Sequence, residues 1–289
     1  MQGKYDGSVV IPAHNEERVI RRCLEALTNG TGQPSAAFPL EIVVVCNGCT
    51  DQTAPVARQF PHVTVVEIPE TSKVAALNTG DEVVTAWPRI YLDADSELSN
   101  ASARSLLREA VHRKDPAIVT ASVEFETEGC SALARSYVRG SKGTSFVKFG
   151  VNAGGVYALN GSGRARFGKF PQLTNDDFYV SSLFDAHEQL IDPNAKVITR
   201  PPRDVRSLIR VRSRVYYGNK EVAARRPPNR PPWRGWRNVA YAIRRARSLG
   251  EAGDLAVYIT INIIAKWTAL KMARSDSPPM WPRDDSSRI

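Results

Sequence analysis

Two aspartates two residues apart, Asp93 and Asp95, close a short apolar run, Arg89-Ile-Tyr-Leu-Asp93. Carboxylates at that spacing, just off a strand, can approach one hard cation together, and such a cation also grips phosphate oxygens. The competing reading is an acidic turn ahead of a helix beginning at Asn100. An EF-hand loop is excluded, because its third acid would be Glu97 and Leu98 stands where the turn glycine belongs. A second acidic pair, Asp176-Asp177, follows Thr174-Asn175. It reads either as a general base at a helix start or as a weak capping box, Thr174-x-x-Asp177. Neighbouring helical residues point about a quarter-turn apart, so one acid can face a pocket while the other holds structure. Lys73 heads the segment Lys73-Val-Ala-Ala-Leu-Asn78. By itself it is a surface lysine; near strand ends it could balance a phosphate or hold an acid.

Two further patterns carry less. Gly163-Arg-Ala-Arg-Phe-Gly168-Lys169 approaches a phosphate loop, but Phe170 replaces the metal-binding hydroxyl residue and Arg164, Arg166 and Phe167 would fill the loop. Cys46-Asn-Gly-Cys49 matches C-x-x-C. No second ligand pair at zinc spacing accompanies it, and a redox role competes with simple burial of Cys46 at a strand end.

These residues need a scaffold, and the hydrophobic pattern supplies one. Strands are expected at Ser8–Pro12, Glu41–Cys46, Val63–Ile68, Arg89–Asp93 and Ala117–Val123. Helices are expected between them at Glu16–Thr28, Thr50–Phe60, Lys73–Thr85 and Asn100–Arg113. Strand–helix alternation with short links predicts an α/β fold, a doubly wound, mostly parallel, Rossmann-like sheet. Ligands bind such sheets at the carboxyl ends of the strands, here Pro12–Glu16, Cys46–Asp51 and Asp93–Glu97. Beyond residue 124 the pattern loosens: loops and short strands over Gly140–Gly168, a helix at Thr174–Phe184 and a strand at Lys196–Arg200. A Pro-rich arm at Arg225–Trp236 and an apolar helix at about Asp254–Ala273 complete the chain.

The 289 residues, 42% hydrophobic and 24% charged, suit a globular chain with a sizeable core. Four cysteines and a polar start argue for a reducing cytoplasm over secretion. The formal charge of +9 is uneven: residues 200–250 hold 15 Lys/Arg against Asp204 and Glu221, or +13, which leaves −4 elsewhere. A basic C-terminal third points to a polyanionic partner: nucleic acid, anionic lipid or a diphosphate-linked substrate.

In this order and spacing the segments resemble the family 2 glycosyltransferases with the GT-A fold. Val9-Val-Ile-Pro-Ala-His-Asn-Glu16 is similar to the family's opening nucleotide-binding strand, and Val45-Cys-Asn-Gly-Cys-Thr-Asp51 to its second motif, usually Asp-Asp-Gly-Ser-Thr-Asp. Lys73-Val-Ala-Ala-Leu-Asn78 resembles the Gly-Lys-x-x-Ala-Leu-Asn segment, with Ser72 in place of Gly, and Tyr91-Leu-Asp-Ala-Asp95 the DxD metal motif. Asp176-Asp-Phe-Tyr-Val180 looks like the Glu-Asp-x-x-Leu motif, with Asp176 replacing Glu, and Arg214-Val-Tyr-Tyr-Gly-Asn219 like an Arg-x-x-x-Gly-Asn segment. The likeness runs over about residues 7–220.

The resemblance implies an inverting, single-addition transfer of sugar from a nucleotide-diphosphate donor, a UDP-sugar being the expected one, to a hydroxyl of a glycan or lipid-linked acceptor. It implies Asp177 as catalytic base, and Asp95 with Asp93 as ligands of a Mn²⁺ or Mg²⁺ cofactor. Pro12, Ala13, Glu16, Asn47, Lys73, Asp93, Ala94 and Arg214 are the expected donor contacts. Asn47 stands where many relatives place an Asp against uracil. Val211 and Val215 occupy the Gln and Trp positions of the processive Gln-x-x-Arg-Trp signature, hence single addition. The expected organisation is a GT-A domain over 1–205, with a nucleotide-binding half to about 123 and an acceptor half over about 124–205. A basic helical extension over 206–289 follows.

Two rivals weigh less. A sugar-nucleotide nucleotidyltransferase would carry a Gly-rich loop where Ala13-His-Asn-Glu16 stands. A nucleic-acid-binding module built on the Arg-rich segment and its Tyr216, Tyr217, Trp233, Trp236 and Tyr241 would leave the strand-end acids unexplained; no nucleic acid is expected. The run Leu255–Ala265 falls short of the roughly 20 residues of a spanning helix. The expectation is therefore packing on the domain, with peripheral, salt-sensitive contact to anionic lipid at the inner face of the membrane.

Overall fold

A computed structural model of the protein describes residues 5–28, 39–142, 155–225, 240–244 and 246–274. The Pro-rich stretch 226–236 with Trp233 and Trp236, and residues 143–154 of the Gly-rich stretch, lie outside them. The described residues fall into two compact units, one of 5–28, 39–124, 155–172 and 179–199, the other of 125–142, 173–178, 200–225, 240–244 and 246–274.

The first unit holds the sheet. Its leading strands are β1 (Gly7–Ala13), β2 (Leu40–Asn47), β3 (Val63–Ile68) and β4 (Arg89–Leu92). They pair in parallel in the order β3-β2-β1-β4. β1 is buried along its whole length and β2 nearly so, which is why both read as unbroken apolar runs, whereas half-buried β3 sits at the edge. Helices α1 (Ile20–Leu27), α2 (Thr53–Ala57), α3 (Lys73–Val83) and α4 (Asn100–Val111) link and cover these strands. α1 buries Ile20, Cys23, Leu24 and Leu27 at helical spacing, each leucine contributing roughly 1.5–3 kcal/mol.

Beyond β4 the sheet departs from the parallel pattern. β7 (Val156–Leu159) pairs antiparallel with β4 and with β6 (Ile118–Phe125), and β8 (Gln189–Thr199) pairs antiparallel with β5 (Ser96–Leu98). Among the described residues the order is β3-β2-β1-β4-β7-β6-β8-β5, a mixed sheet of eight strands. The near-phosphate-loop stretch proves structural. It includes the short α6 (Gly161–Arg164); Arg164 pairs with Asp81, Arg166 with Glu188, and Phe167 and Phe170 enter the core.

The second unit is helical. α5 (Ala132–Lys142), α8 (Val205–Ala224) and α9 (Leu249–Met272) pack together around Ala134, Tyr137, Leu208 and Ile261. The short α7 (Asp176–Ser182) begins in this unit. Asn262, the polar residue that interrupts the apolar run, turns inward: its Oδ1 accepts from Tyr216 at 2.9 Å and Arg212 at 3.2 Å. Gly140 lets α5 and α9 touch, since a Cβ there would lie 2.3 Å from the Asp254 carbonyl. Asp254 accepts two 2.7 Å bonds from Arg139, which holds its carboxyl below the usual range. α9 has 24 residues and starts five residues before the expected Asp254; by length and composition it is long enough to cross a membrane.

Candidate active site

Strand order fixes where a ligand can enter. From β1 the chain winds to β2 and β3 on one side, while β4 lies on the other, so the crevice between β1 and β4 is a topological switch point. Pro12 and Ala13 end β1, Asn47 ends β2, and Asp93 follows β4, all at one edge of the parallel strands.

At that edge the DxD residues separate by burial. Ala94 is buried in the core at 4% exposure, whereas Asp93 and Asp95 are half-exposed. Residues 93–96 form a turn, the Ser96 N–H donating to the Asp93 carbonyl at 3.0 Å, which buries Ala94 and leaves both carboxylates partly exposed. Asp93 pairs with Lys73, Nζ to Oδ1 at 2.7 Å, from the first residue of α3. Its position is set by Gly155, whose carbonyl accepts the Asp93 N–H at 2.8 Å. A Cβ on Gly155 would lie 2.6 Å from Asp93 Oδ2, and its φ of +66° already favours glycine. α3 is in turn fixed to β4 by half-buried Asp81, which takes Arg89, Arg164 and, at 2.7 Å, the Tyr91 hydroxyl. Lys73 and Asp93 are thereby carried by two elements locked to one another.

The rim on the other side is laced by backbone-to-side-chain bonds. Thr53 Oγ1 accepts the Glu16 N–H at 2.6 Å, Asp51 accepts the Glu17 N–H at 3.1 Å, and Asn15 Oδ1 accepts the Thr50 N–H at 2.7 Å. Asn15 adopts φ +53°, a conformation Asn tolerates better than most residues. Glu16 is buried, and its carbonyl accepts the N–H groups that open α1. Asn47 is 3% exposed; in the amide orientation that satisfies both ends it donates to the Ala13 carbonyl at 2.8 Å and accepts from Ser72 N–H at 3.2 Å. It therefore ties β1, β2 and the start of α3 together.

In the second unit, Asp176 is buried and Asp177 half-exposed at the start of α7. Asp177 Oδ1 accepts the Phe178 N–H at 2.6 Å. The preceding Asn175 donates to the Val215 carbonyl at 2.9 Å and to Asn219 at 2.8 Å. Gly218 lets it in, as a Cβ there would sit 2.6 Å from Asn175 Cγ. The Arg214–Asn219 segment, one turn and a half of α8, thus anchors the loop that delivers the two acids; Arg214 itself is half-exposed on that helix.

Sequence reading missed Gly155, Asn15, Thr53 and Asn175. Only Asn15 carried a local signal, an Asn between a strand end and a helix; the others acquire their roles through long-range pairing.

The chain was compared with known proteins. The model of glycosyl transferase family 2 matches residues 8–167, more than half of the chain. Among curated proteins, a Haloferax volcanii glycosyltransferase, AglE, is 37% identical over 93 residues, 30% of this chain and 30% of that protein. An uncharacterized Escherichia coli glycosyltransferase, YibD, is 30% identical over 108 residues, 36% of this chain and again 30% of the relative. The chain thus matches about a third of the length of either relative. Among solved structures, a mannosyltransferase from Pyrobaculum calidifontis in complex with GDP-Man and Mn²⁺ superposes with a TM-score of 0.57 at 18% identity, over 96% of this chain and 77% of the other. Glucosyl-3-phosphoglycerate synthase from Mycobacterium tuberculosis, with Mn²⁺, UDP-glucose and phosphoglyceric acid, gives 0.53 at 15% identity, over 78% and 82%.

Proposed function

The chain belongs to glycosyl transferase family 2, and on that footing we propose that it moves a sugar from a nucleotide-diphosphate donor to an acceptor hydroxyl, once per acceptor and with inversion. The observation that carries this reading is the pair of half-exposed carboxylates, Asp93 and Asp95, at the switch-point crevice of a parallel sheet. Pro12, Ala13 and Glu16 line the base and ribose. Asn47 shapes that wall by holding three elements in place. Asp177 accepts the proton of the attacking hydroxyl, and Arg214 offers a guanidinium fork to the diphosphate. The working division is a nucleotide-binding half to about residue 123, an acceptor half over about 124–205 and a basic extension over 206–289.

The donor set fits a hard divalent ion. Asp95 and Asp93 present only oxygens, which suits Mn²⁺ or Mg²⁺ over softer metals, and the missing Cβ of Gly155 leaves the space beside Asp93 clear. Among the described residues no group of three or more His, Cys, Asp or Glu could hold an ion unaided, so phosphate oxygens and water would complete its shell. When bound, such an ion neutralises charge on the departing diphosphate. Lys73 keeps Asp93 oriented beforehand through their ion pair.

Thermal unfolding against a panel of UDP-, GDP- and dTDP-sugars, with and without Mn²⁺, tests the reading; UDP-sugars are the first expectation, and the two solved relatives carry GDP-mannose and UDP-glucose. A ligand at about 100 times its Kd stabilises by about 2.7 kcal/mol. That corresponds to a rise of several degrees for a chain of this size. One base, in Mn²⁺ only, is expected to give it; no shift with any nucleotide sugar would overturn the proposal.

The acceptor is proposed to be a glycan or a lipid-linked molecule, met at the inner face of a membrane. α9 buries Leu255, Ile261, Asn262, Ala265 and Ala269, and it exposes Ile263, Ile264, Trp267 and Leu270 on the opposite side, beside Lys266, Lys271 and Arg274. An exposed apolar stripe with cations at its rim suits the interface of an anionic bilayer. Insertion across it would take the Asn262 network out of its partners, so peripheral docking is favoured. The protein should sediment with phosphatidylserine vesicles at low salt, less with phosphatidylcholine, and Trp267→Ala should weaken it; equal binding to both lipids would leave the stripe without a membrane role.

A further inference from the structure

The C-x-x-C segment lies in the wall of the donor crevice. Cys46 is the penultimate residue of β2, 1% exposed, and Cys49 is half-buried three residues on. Between them the chain leaves β2 and bends at Gly48. Gly48 has φ +59°, and a Cβ there would come within 2.4 Å of Thr71 Oγ1. Cys46 belongs to the core cluster beneath β1 and β2 and Cys49 packs against the same cluster, so the two thiols lie on one side of the bend. Cys49 Sγ also lies 3.4 Å from the Asn15 N–H, which donates to it, and 3.3 Å from the Ala13 carbonyl, to which the protonated thiol donates.

These donors divide the pair. The bond from Cys46, with help from Asn15, lowers the Cys49 thiol to about 6, against the opposing effect of burial. The same bond, and then burial, pushes Cys46 up. Cys49 is thus the accessible thiolate and Cys46 the protonated partner held against it, the arrangement of an attacking and a resolving thiol.

We propose that Cys46 and Cys49 form an oxidisable dithiol that a low-molecular-weight disulfide converts to an intramolecular bridge, and that the bridge weakens donor binding; the second part rests on the donor-site reading above. The Cys49 thiolate attacks one sulfur of the disulfide RS–SR, whose S–S bond breaks to release RS⁻ and leave a mixed disulfide on Cys49. Cys46 gives its proton to the released RS⁻, and its sulfur attacks Cys49 Sγ, expelling the second RS⁻, which takes a proton from water or buffer. Cys49 entered as thiolate, so its own proton had already gone to solvent. Two protein sulfurs are oxidised by two electrons and RS–SR is reduced to two RSH. The bridge removes the thiolate that accepts the Asn15 N–H at 3.4 Å and draws in the span containing Asn47, whose side chain ties Ala13 to Ser72 and whose carbonyl contacts His14 Nδ1 at 2.6 Å. Both residues belong to the base-side wall.

The test treats the reduced full chain with glutathione disulfide, then alkylates it under denaturing conditions and maps the peptides by mass. The expected result is a species lighter by two hydrogens, with Cys46 and Cys49 protected and Cys23 and Cys130 alkylated. UDP and GDP, each with Mn²⁺, serve as binding probes. Whichever binds should lose at least about fivefold in affinity on oxidation and regain it with dithiothreitol. Cys49→Ser should bind that probe equally before and after treatment. Alkylation of Cys46 and Cys49 after exposure to the disulfide overturns the dithiol, and a bridge that leaves affinity unchanged overturns its coupling to the donor. A reduced protein that binds neither probe overturns the donor reading and the coupling together, while the mass map still decides the dithiol.

Discussion

Asp177→Asn is expected to lower transfer by about 10²–10⁴-fold, the usual worth of a positioned base, with donor affinity and melting temperature nearly unchanged. The amide keeps the shape of the carboxylate and can still accept the Phe178 N–H that Asp177 takes at 2.6 Å. What it loses is the capacity to receive a proton near neutral pH. Removing a charge at a helix start costs only about 0.3–1 kcal/mol, so a purely capping Asp177 predicts a small stability loss and full turnover. The discriminating measurement pairs initial rates at saturating donor and acceptor with donor titration by calorimetry. A fall in kcat at constant donor affinity marks an interaction made in the transition state. Undiminished turnover would move the base elsewhere, with buried Asp176 the next residue to test.

The parallel half of the fold was legible because its signals are local. β1 and β2 are buried on both faces, so each is a continuous apolar run, and β3 matches its expected span of Val63–Ile68. The approach of the strand ends follows from alternation and handedness, which is how three separated polar segments could be assigned to one edge. The antiparallel half was legible only in part: β6 meets the expected Ala117–Val123 and the end of β8 the expected Lys196–Arg200, but their pairing was not foreseen. β5 has three residues, and its pairing with β8 spans about a hundred positions, information no short window contains. α8 escaped because the face it buries includes Ser207, Ser213 and Gly218, and small or polar residues on the inner side erase the apolar period. The same holds at the site: Gly155 matters only because β7 lies beside β4, putting its missing Cβ against Asp93. Asn262 interrupts the apolar run Leu255–Ala265, and its Oδ1 accepts from Tyr216 of α8 at 2.9 Å.

Asp95→Ala should abolish the divalent-ion dependence of donor binding and leave the fold intact. Ala94 is the residue of this turn that fills the core, while Asp95 is half-exposed, so truncation opens no core cavity. A bound ion supplies several kcal/mol of charge stabilisation in the transition state. At about 1.4 kcal/mol per decade, its loss lowers kcat/KM on the order of 10²–10³-fold. Asp93→Ala is a different perturbation, because it also releases Lys73 from a 2.7 Å ion pair beside the crevice. The freed ammonium can meet the diphosphate directly, so Asp93→Ala should retain metal-independent nucleotide affinity that Asp95→Ala lacks. Titrating a nucleoside diphosphate into both variants, with Mn²⁺ and with EDTA, separates the two. If Asp95→Ala binds with wild-type metal dependence, or if it unfolds, Asp95 is not the ligand and the pair at the strand end is an acidic turn.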